Sequence, residues 1–186
     1  MAGARRRQEI FMATLELVAE RGYDGLTVEG VAERSGVNKT TIYRWWPSKS
    51  ALLGDALVEA DLLALDTPDT GSLRGDLMAL VNSVVRLLTA PPMADVAVAA
   101  LGAAARNPEL AAGTQRFFRD RFAQETTIFE QALGRGELKP EVDPMAIVDL
   151  LAGAVWLRVV FRGLPVGEDF TEGIVDVVMG GAGRGG

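Results

Sequence analysis

The chain has 186 residues, of which 48% are hydrophobic, and it carries 19 basic and 25 acidic side chains but no cysteine and no histidine. Without these two residue types it has no thiolate nucleophile, no imidazole base, no disulfide framework and no zinc site of the usual nitrogen and sulfur kind. An enzyme would have to work with Asp, Glu, Lys, Tyr or Ser alone, so we predict neither a catalytic site nor a metal or cofactor site.

The apolar segments are too short to suggest a membrane protein. The longest uncharged apolar runs, Val96 to Ala105 and Leu150 to Leu157, fall short of the ~18 to 20 residues that span a bilayer. At the N-terminus, a basic cluster leads into an amphipathic pattern and not into the apolar core of a signal peptide. We therefore expect a cytoplasmic protein without membrane contact. Its excess apolar surface must then be covered by a ligand, a partner or a second copy.

The net charge of −6 is unevenly distributed along the chain. Residues 1–50 carry eight basic and six acidic side chains, and the remainder carries 11 basic and 19 acidic ones. Residues 1–50, which we call the head, thus have a net charge of +2, and the remainder, which we call the body, has a net charge of −8. This asymmetry suggests that the head binds a polyanion. The same small excess over fifty residues is also compatible with chance.

Helical periodicity between the prolines predicts an all-α protein of about nine helices. In the first helix, Ile10, Leu17 and Val18 share one face, and Gly22 supplies a left-handed stop. Side chains that suit an N-terminal cap precede five helices, at Thr27, Asn38, Ser48, Asn107 and Asp143. The predicted helices cover residues 5–21, 28–35, 39–45, 49–65, 72–89, 93–105, 108–134, 144–162 and 169–179.

The 144–162 segment is apolar nearly all round, so we expect it to be buried on two sides. A helix enclosed within its own chain and a helix in an interface between two chains would show the same pattern. After it, the glycine-rich tail 180–186 is expected to be disordered.

Two of the short helices have the dimensions of a helix-turn-helix, in which the second helix enters the major groove of DNA. The turn between them reads Ser-Gly-Val-Asn over 35–38, and glycine permits the sharp reversal. An ordinary helical hairpin has the same spacing, so the neighbouring chemistry is needed to decide. The second helix exposes donors suited to phosphates and base edges. Beyond it, Lys49 stands at a helix N-terminus, where free N–H groups favour a phosphate.

The stretch GYDGLTVEGVAERSGVNKTTIYRWWPSKSALL, residues 22–53, resembles the DNA-binding domain of the tetracycline-repressor (TetR) family of bacterial transcriptional regulators. The resemblance is dense over residues 8–57, where the turn, the Thr-Ile-Tyr of the second helix and the Ser-Lys before the fourth stand at the family's spacing. Beyond residue 60 only the helical architecture is similar. Two departures are Thr40, where small residues such as glycine are common, and Trp46, where phenylalanine is usual.

The resemblance implies a three-helix DNA-binding domain over residues 1–50, with its recognition helix at about 38–45, and an effector-binding and dimerisation domain over 51–179. It places DNA contacts on Thr27, Asn38, Lys39, Thr40, Thr41, Tyr43, Arg44 and Lys49. Of these, Thr27, Tyr43 and Lys49 would hold the phosphate backbone and the others would lie around the base edges. Lys39 and Arg44 are the candidates for specificity, since a cation facing guanine is the commonest specific pairing.

Two features near this helix have alternative interpretations. One or both of Trp45 and Trp46 would pack in the core of the small domain, with base stacking as the alternative. The arginines 5–7 would form either a solvated terminus or an arm that enters the minor groove.

The resemblance also implies a homodimer in which the last two helices of each chain form a four-helix bundle. The predicted interface residues are Leu151, Val155, Arg158, Val159, Ile174, Val177 and Val178. Helices from 72 to 134 would enclose a mostly apolar effector. Possible polar contacts, which the sequence does not rank, are Asn82, Arg86, Thr126, Gln131 and Trp156.

We therefore predict a dimeric repressor that a small effector releases from a palindromic DNA operator. The alternatives are a ligand-independent or activating regulator of the same fold and a helical interaction protein that does not bind DNA.

Overall fold

The computed structural model describes residues 2–59 and 68–182, with their side chains except at residues 2, 120–125 and 182. These ranges confirm the all-α prediction. A π-helical turn, Leu157–Phe161, follows the eighth helix directly. The α-helices in the described ranges are α1 (Ala2–Gly25), α2 (Val28–Ser35), α3 (Lys39–Trp45), α4 (Lys49–Glu59), α5 (Leu73–Thr89), α6 (Met93–Ala104), α7 (Pro108–Arg135), α8 (Pro144–Trp156) and α9 (Glu168–Ala182).

The five predicted helix caps are all present. In each case the side-chain oxygen accepts a backbone N–H of the following first turn, at distances between 2.8 and 3.1 Å. These N–H groups have no acceptor within their own helix, and a side chain that satisfies one contributes about 1 kcal/mol. The caps are Thr27, Asn38, Ser48, Asn107 and Asp143.

Helix ends differ from the prediction in three places. Gly22 interrupts α1 with a φ of 66°, as predicted, but a further turn carries the helix on to Gly25. The predicted helix 144–162 is an α-helix only to Trp156, because Arg162 N–H donates to the carbonyl of Leu157 at 3.0 Å, a bond from residue i+5 to residue i. The last helix includes residues 180–182 of the predicted tail. Residues 60–65 of the predicted fourth helix and 183–186 of the tail lie outside the described residues.

The described chain divides into two compact units. The first comprises Met1–Ala64 and Ala90–Arg119, in which α1 packs against α2, α4 and α6. Ile10, Leu17 and Val18 form the buried face of α1, as predicted. Because a Cβ added to Gly113 would lie 2.6 Å from the Cα of Gly54, the backbones of α7 and α4 approach each other too closely for a side chain at either position.

The second unit comprises Leu65–Thr89 and Asp120–Gly186, in which α5 packs against α8 and α9. Two carboxylates organise the beginning of α5. Asp76 is fully buried and accepts the backbone N–H and the hydroxyl of Thr70, at 2.7 and 2.8 Å. Glu137 accepts the N–H of Leu73 at 2.5 Å and pairs with Arg135 at 3.1 Å. Both carboxylates therefore satisfy backbone or side-chain donors at one end of this unit.

Glu137 makes the stability of the second unit depend on pH. Hydrogen bonds from Arg135 and from the N–H of Leu73 lower the pKa of Glu137. Its charged form therefore stabilises the fold above the ordinary glutamate pKa, and this contribution is lost as the pH falls through the lowered pKa. Glu137→Gln is expected to lower the free energy of unfolding by about 1 kcal/mol at pH 7 and to have little effect near pH 3.

Thermal or urea unfolding measured at both pH values would test this expectation. The matched control is Glu141→Gln, since Glu141 is exposed. A destabilisation of the Glu137→Gln variant that is the same at both pH values would contradict it.

Large apolar side chains are exposed on α8, on its π-helical turn and at one position of α9. By length and composition alone, Pro144–Phe161 is apolar enough to cross a membrane, and 22% of it is buried within the chain. On α8 and its π-helical turn, Leu150, Leu157 and Phe161 are 64%, 54% and 76% exposed, at the spacing i, i+7, i+11 that places residues on one helix face. Val177 on α9 is 77% exposed. We call these four residues the apolar face.

The predicted interface residues divide into two groups in the structure. Leu151, Val155 and Val178 are buried in the core of their own chain, so they offer a partner little surface, and their place in the interface stays a prediction. Arg158 lies over the ring of Phe170 at 4.4 Å and donates to a backbone carbonyl of the following loop. The other three, Val159, Ile174 and Val177, keep exposed or partly exposed side chains.

Candidate nucleic-acid interface

The turn between α2 and α3 has the geometry of a helix-turn-helix. Gly36 adopts a φ of 68°, a left-handed conformation that residues with a Cβ rarely adopt. Val31 on α2 and Ile42 on α3 are fully buried and anchor the two helices in the core of the first unit. With Ile42 pointing inward, the opposite side of α3 is left at the surface.

The outward side of α3 carries most of the predicted DNA contacts. Asn38, Lys39, Thr40, Tyr43 and Arg44 are exposed, and Thr41 is partly buried. Among the described residues, neither Lys39 nor Arg44 has a hydrogen-bond or ion-pair partner. Both cations are therefore available to phosphates or to the acceptor atoms of guanine.

Three other basic side chains of residues 1–50, those of Arg5, Arg7 and Arg34, are paired with carboxylates. Arg34 on α2 donates to both carboxylate oxygens of Glu20 at 2.6 and 2.7 Å, and the hydrogen bond lowers the pKa of Glu20. Arg5 pairs with Glu9 one turn further along α1. Among residues 1–50, the cations without a partner in the described part of the chain therefore include Lys39 and Arg44 on α3, which the net charge of the segment could not reveal.

Thr27 directly precedes α2, and its side chain is exposed. Its hydroxyl oxygen accepts the N–H of Gly30 at 3.1 Å, which is the predicted cap. The hydroxyl hydrogen is left for an acceptor such as a phosphate oxygen. Contact with a phosphate is still a prediction for this residue.

Lys49 is held by the protein more firmly than its position in the sequence suggested. Its ammonium group donates to the backbone carbonyls of Tyr23 at 2.9 Å and Asp24 at 3.4 Å, and lies 4.4 Å from the centre of the Tyr23 ring. An ammonium group has three N–H donors, so one is left for a phosphate.

The hydroxyl of the same tyrosine belongs to a polar cluster that sequence reasoning did not find. Tyr23 and Ser50 are hydrogen-bonded through their hydroxyls at 2.6 Å. The side-chain amide of Asn107 donates to both hydroxyl oxygens, at 2.8 and 3.0 Å. Asn107 could be singled out only as a cap, because the residues of this cluster are up to 84 positions apart.

The two adjacent tryptophans have different environments. Trp46 is 3% exposed, lies 5.3 Å from Phe11 between ring centres, and donates its indole N–H to Asp55 at 3.0 Å. Trp45 is 38% exposed and meets Trp46 edge-on. The guanidinium group of Arg7 lies 5.7 Å from the Trp46 ring. Trp46 therefore packs in the core of the first unit, as predicted for at least one of the pair.

Two family profiles match this chain. The one described as "Bacterial regulatory proteins, tetR family" matches residues 10–56, and the one described as "Tetracyclin repressor-like, C-terminal domain" matches residues 67–178, which is more than half of the chain. The chain belongs to the TetR family. It is a DNA-binding transcriptional regulator whose helix-turn-helix is formed by α2 and α3.

Known proteins are similar over nearly the whole length. The uncharacterised regulator YdeS of Bacillus subtilis is 32% identical over 89% of this chain and 84% of its own. A DNA-binding transcriptional repressor, TetR, of Mycobacteroides abscessus is 29% identical over 95% of this chain and 93% of its own. The crystal structure of the TetR family regulator SCO0332 is 35% identical, with a TM-score of 0.78 over 95% of this chain and 97% of that one. The family resemblance of residues 22–53 thus extends to the helical body.

Proposed function

We propose that this TetR family protein is a cytoplasmic homodimeric repressor that binds a palindromic operator and is released from it by a small, mostly apolar effector. The observation that carries the DNA-binding part is the outward side of α3, where Lys39 and Arg44 are exposed and unpaired within the described residues. The surrounding hydroxyl and amide groups of Asn38, Thr40 and Thr41 are suited to base edges. Tyr43, Thr27 and Lys49 would hold the phosphate backbone on either side.

Specificity is proposed to reside in Lys39 and Arg44. Replacing either by Ala should reduce the affinity for the preferred duplex by about 1–3 kcal/mol and relax the preference at one base pair of each half-site. Selection from random duplexes, followed by binding measurements on the selected sequence, would show both effects.

The matched control for this selection is Arg34→Ala, since Arg34 is already paired with Glu20. This variant should select the wild-type sequence. If the variants at 39 and 44 also select that sequence unchanged, the specificity assigned to them is wrong.

A homodimer is proposed for two reasons. One recognition helix contacts few base pairs, so specific sites are generally read by two helices related by a two-fold axis. The apolar face on α8 and α9 also leaves large side chains exposed in the single chain, as a face that packs against a second copy does. With Leu151, Val155 and Val178 buried in the chain, the interface proposed here centres on Leu150, Leu157, Phe161 and Val177, together with Val159 and Ile174.

The effector is proposed to bind in the second unit. There the side-chain oxygen of Gln131 on α7 is buried without a hydrogen-bond partner among the described residues. Of the polar contacts that the sequence left unranked, this acceptor is the best candidate, since it would favour an apolar ligand that carries a donor group. Arg86, by contrast, donates to Ser83.

Release would follow from a population shift. An effector that binds better to a dimer whose recognition helices are mis-spaced for successive major grooves must lower operator affinity, and operator DNA must weaken effector binding by the same factor. Titration of an effector, found by thermal-shift screening of apolar compounds, against the free and the operator-bound protein tests this. Equal affinities would contradict the allosteric mechanism.

Repression is proposed because the Mycobacteroides abscessus relative is described as a repressor. Transcription from the promoter that contains the selected sequence should rise when the protein is removed and when effector is added. A fall on removal would identify an activator, and an effect of removal without any effect of effector would identify a ligand-independent regulator.

A further inference from the structure

The polar cluster of Tyr23, Ser50 and Asn107 connects the beginning of α7 with the first turn of α4. The side-chain oxygen of Asn107 accepts the N–H of Leu110 at 3.0 Å and so caps α7. The amide N–H groups of Asn107 are therefore the ones that face Tyr23 and Ser50. Ser50 is 4% exposed, so its hydroxyl depends on protein partners instead of water. Each of the three side chains thus has its polar atoms satisfied by the other two or by a helix end.

Lys49 is attached to this cluster on two sides. Its neighbour in the chain, Ser50, lies in the first turn of α4 and is hydrogen-bonded to Tyr23 and Asn107. The ring of Tyr23, which is tethered by its hydroxyl, forms a platform 4.4 Å below the ammonium group. The backbone carbonyl of Tyr23 accepts from the same ammonium group at 2.9 Å. A lysine side chain that would otherwise sample many rotamers is therefore held in one place.

We propose that Tyr23, Ser50 and Asn107 are positioning residues that hold Lys49 ready for a DNA phosphate. This inference rests on the phosphate contact proposed for Lys49. A donor that is already ordered loses less conformational entropy when it binds. The cluster acts through the lysine, and none of its three members touches DNA. Because Asn107 caps α7, this phosphate contact depends on how the first turn of α7 is packed.

Two substitutions release the cluster while keeping the local fold. Asn107→Ser retains a good helix cap but is too short to reach the two hydroxyls. Tyr23→Phe keeps the ring and removes only the hydroxyl. Asp143→Ser is the matched control, since it makes a similar change at another cap followed by proline, in the second unit. Lys49→Met provides a background without the ammonium group.

Binding of the full-length variants to a short duplex of arbitrary sequence, measured over a range of salt concentrations, tests the inference without knowledge of the operator. Lys49→Met should reduce the magnitude of the slope of log K against log salt by about 0.9, the value for one phosphate. Asn107→Ser and Tyr23→Phe should each weaken binding about threefold, which corresponds to the cost of ordering one long side chain on binding. Neither should weaken binding further in the Lys49→Met background, and Asp143→Ser should bind like the wild type.

The outcomes separate this inference from the role of Lys49 itself. If Lys49→Met lowers the slope while Asn107→Ser and Tyr23→Phe bind as tightly as the wild type, the cluster is only structural and the inference is wrong. If their effects add to that of Lys49→Met, they act by another route and the inference is also wrong. If Lys49→Met keeps the wild-type slope, Lys49 makes no phosphate contact, and the proposed contact fails together with the inference.

Discussion

Replacing Leu150 and Val177 together by Glu is expected to make the protein monomeric and to lower its operator affinity by about a hundredfold or more. Both side chains belong to the apolar face and are 64% and 77% exposed in the single chain. Their replacement should therefore leave the fold of the chain intact. In the proposed dimer, however, the new carboxylates would be buried without a partner, which is strongly unfavourable.

The loss of DNA affinity follows from the loss of the second recognition helix. In a dimer, once one half-site is occupied, the second helix binds its half-site at a high effective concentration. A monomer loses that gain of about two to four orders of magnitude. Light scattering would give the mass of the variant, circular dichroism its helicity, and binding to the selected duplex its affinity.

Val98→Glu is the matched control, since Val98 on α6 is also an exposed valine, at 40%, but lies outside the apolar face. This variant should stay dimeric. A dimeric Leu150→Glu, Val177→Glu variant with normal operator affinity would contradict the proposed interface. If the wild-type protein instead binds lipid vesicles through this face and the double variant does not, the face contacts a membrane.

Trp46→Ala is expected to lower the free energy of unfolding of the first unit by about 3–5 kcal/mol, the usual cost of truncating a buried large aromatic side chain. The indole packs against Phe11 and lies beneath the guanidinium group of Arg7. Its N–H is one of two donors to Asp55, the other being Arg116 at 2.8 Å. Truncation would therefore leave a cavity and remove a hydrogen bond to a charged group.

DNA binding should be lost along with this stability. The indole of Trp46 directly follows α3 and is buried against Phe11, so its truncation should loosen the end of the recognition helix from the core of the first unit. Urea unfolding followed by circular dichroism would measure the stability, and binding to the selected duplex would measure the function.

Trp45→Ala is the control for this prediction, because Trp45 is 38% exposed. This substitution should lower the free energy of unfolding by about 1 kcal/mol or less. Trp46→Phe retains a ring without the N–H donor, and its cost should lie between the other two. Equal destabilisation by the alanine variants at 45 and 46 would show that the core role assigned to Trp46 is wrong.

The helix-turn-helix could be predicted from the sequence because the interactions that define it are local. Thr27 and Asn38 cap helices whose first N–H groups are two or three residues further on. Gly36 provides a conformation that depends on its own lack of a Cβ. The buried positions of α1 could also be predicted from the sequence, because in a helix with one polar side the spacing of the apolar residues shows which face is buried.

The apolar face could not be predicted in the same way. Since α8 is apolar on nearly every side, its periodicity does not distinguish Leu150, which is exposed, from Leu151, which is buried. Only the packing of α5 and α9 against α8 determines which side is covered. For this reason the predicted interface included three residues that belong to the core of the single chain.

The sequence by itself determined the all-α fold, the five caps, the glycine turn and the family, because helix periodicity, caps and turns depend on residues only a few positions apart. Only the tertiary structure decided which cations are free and what surrounds Lys49. Arg34 is paired with Glu20 while Lys39 and Arg44 are not, and Tyr23, Ser50 and Asn107 meet although up to 84 positions separate them. Such contacts depend on how whole helices pack, so they cannot be predicted from a local sequence pattern.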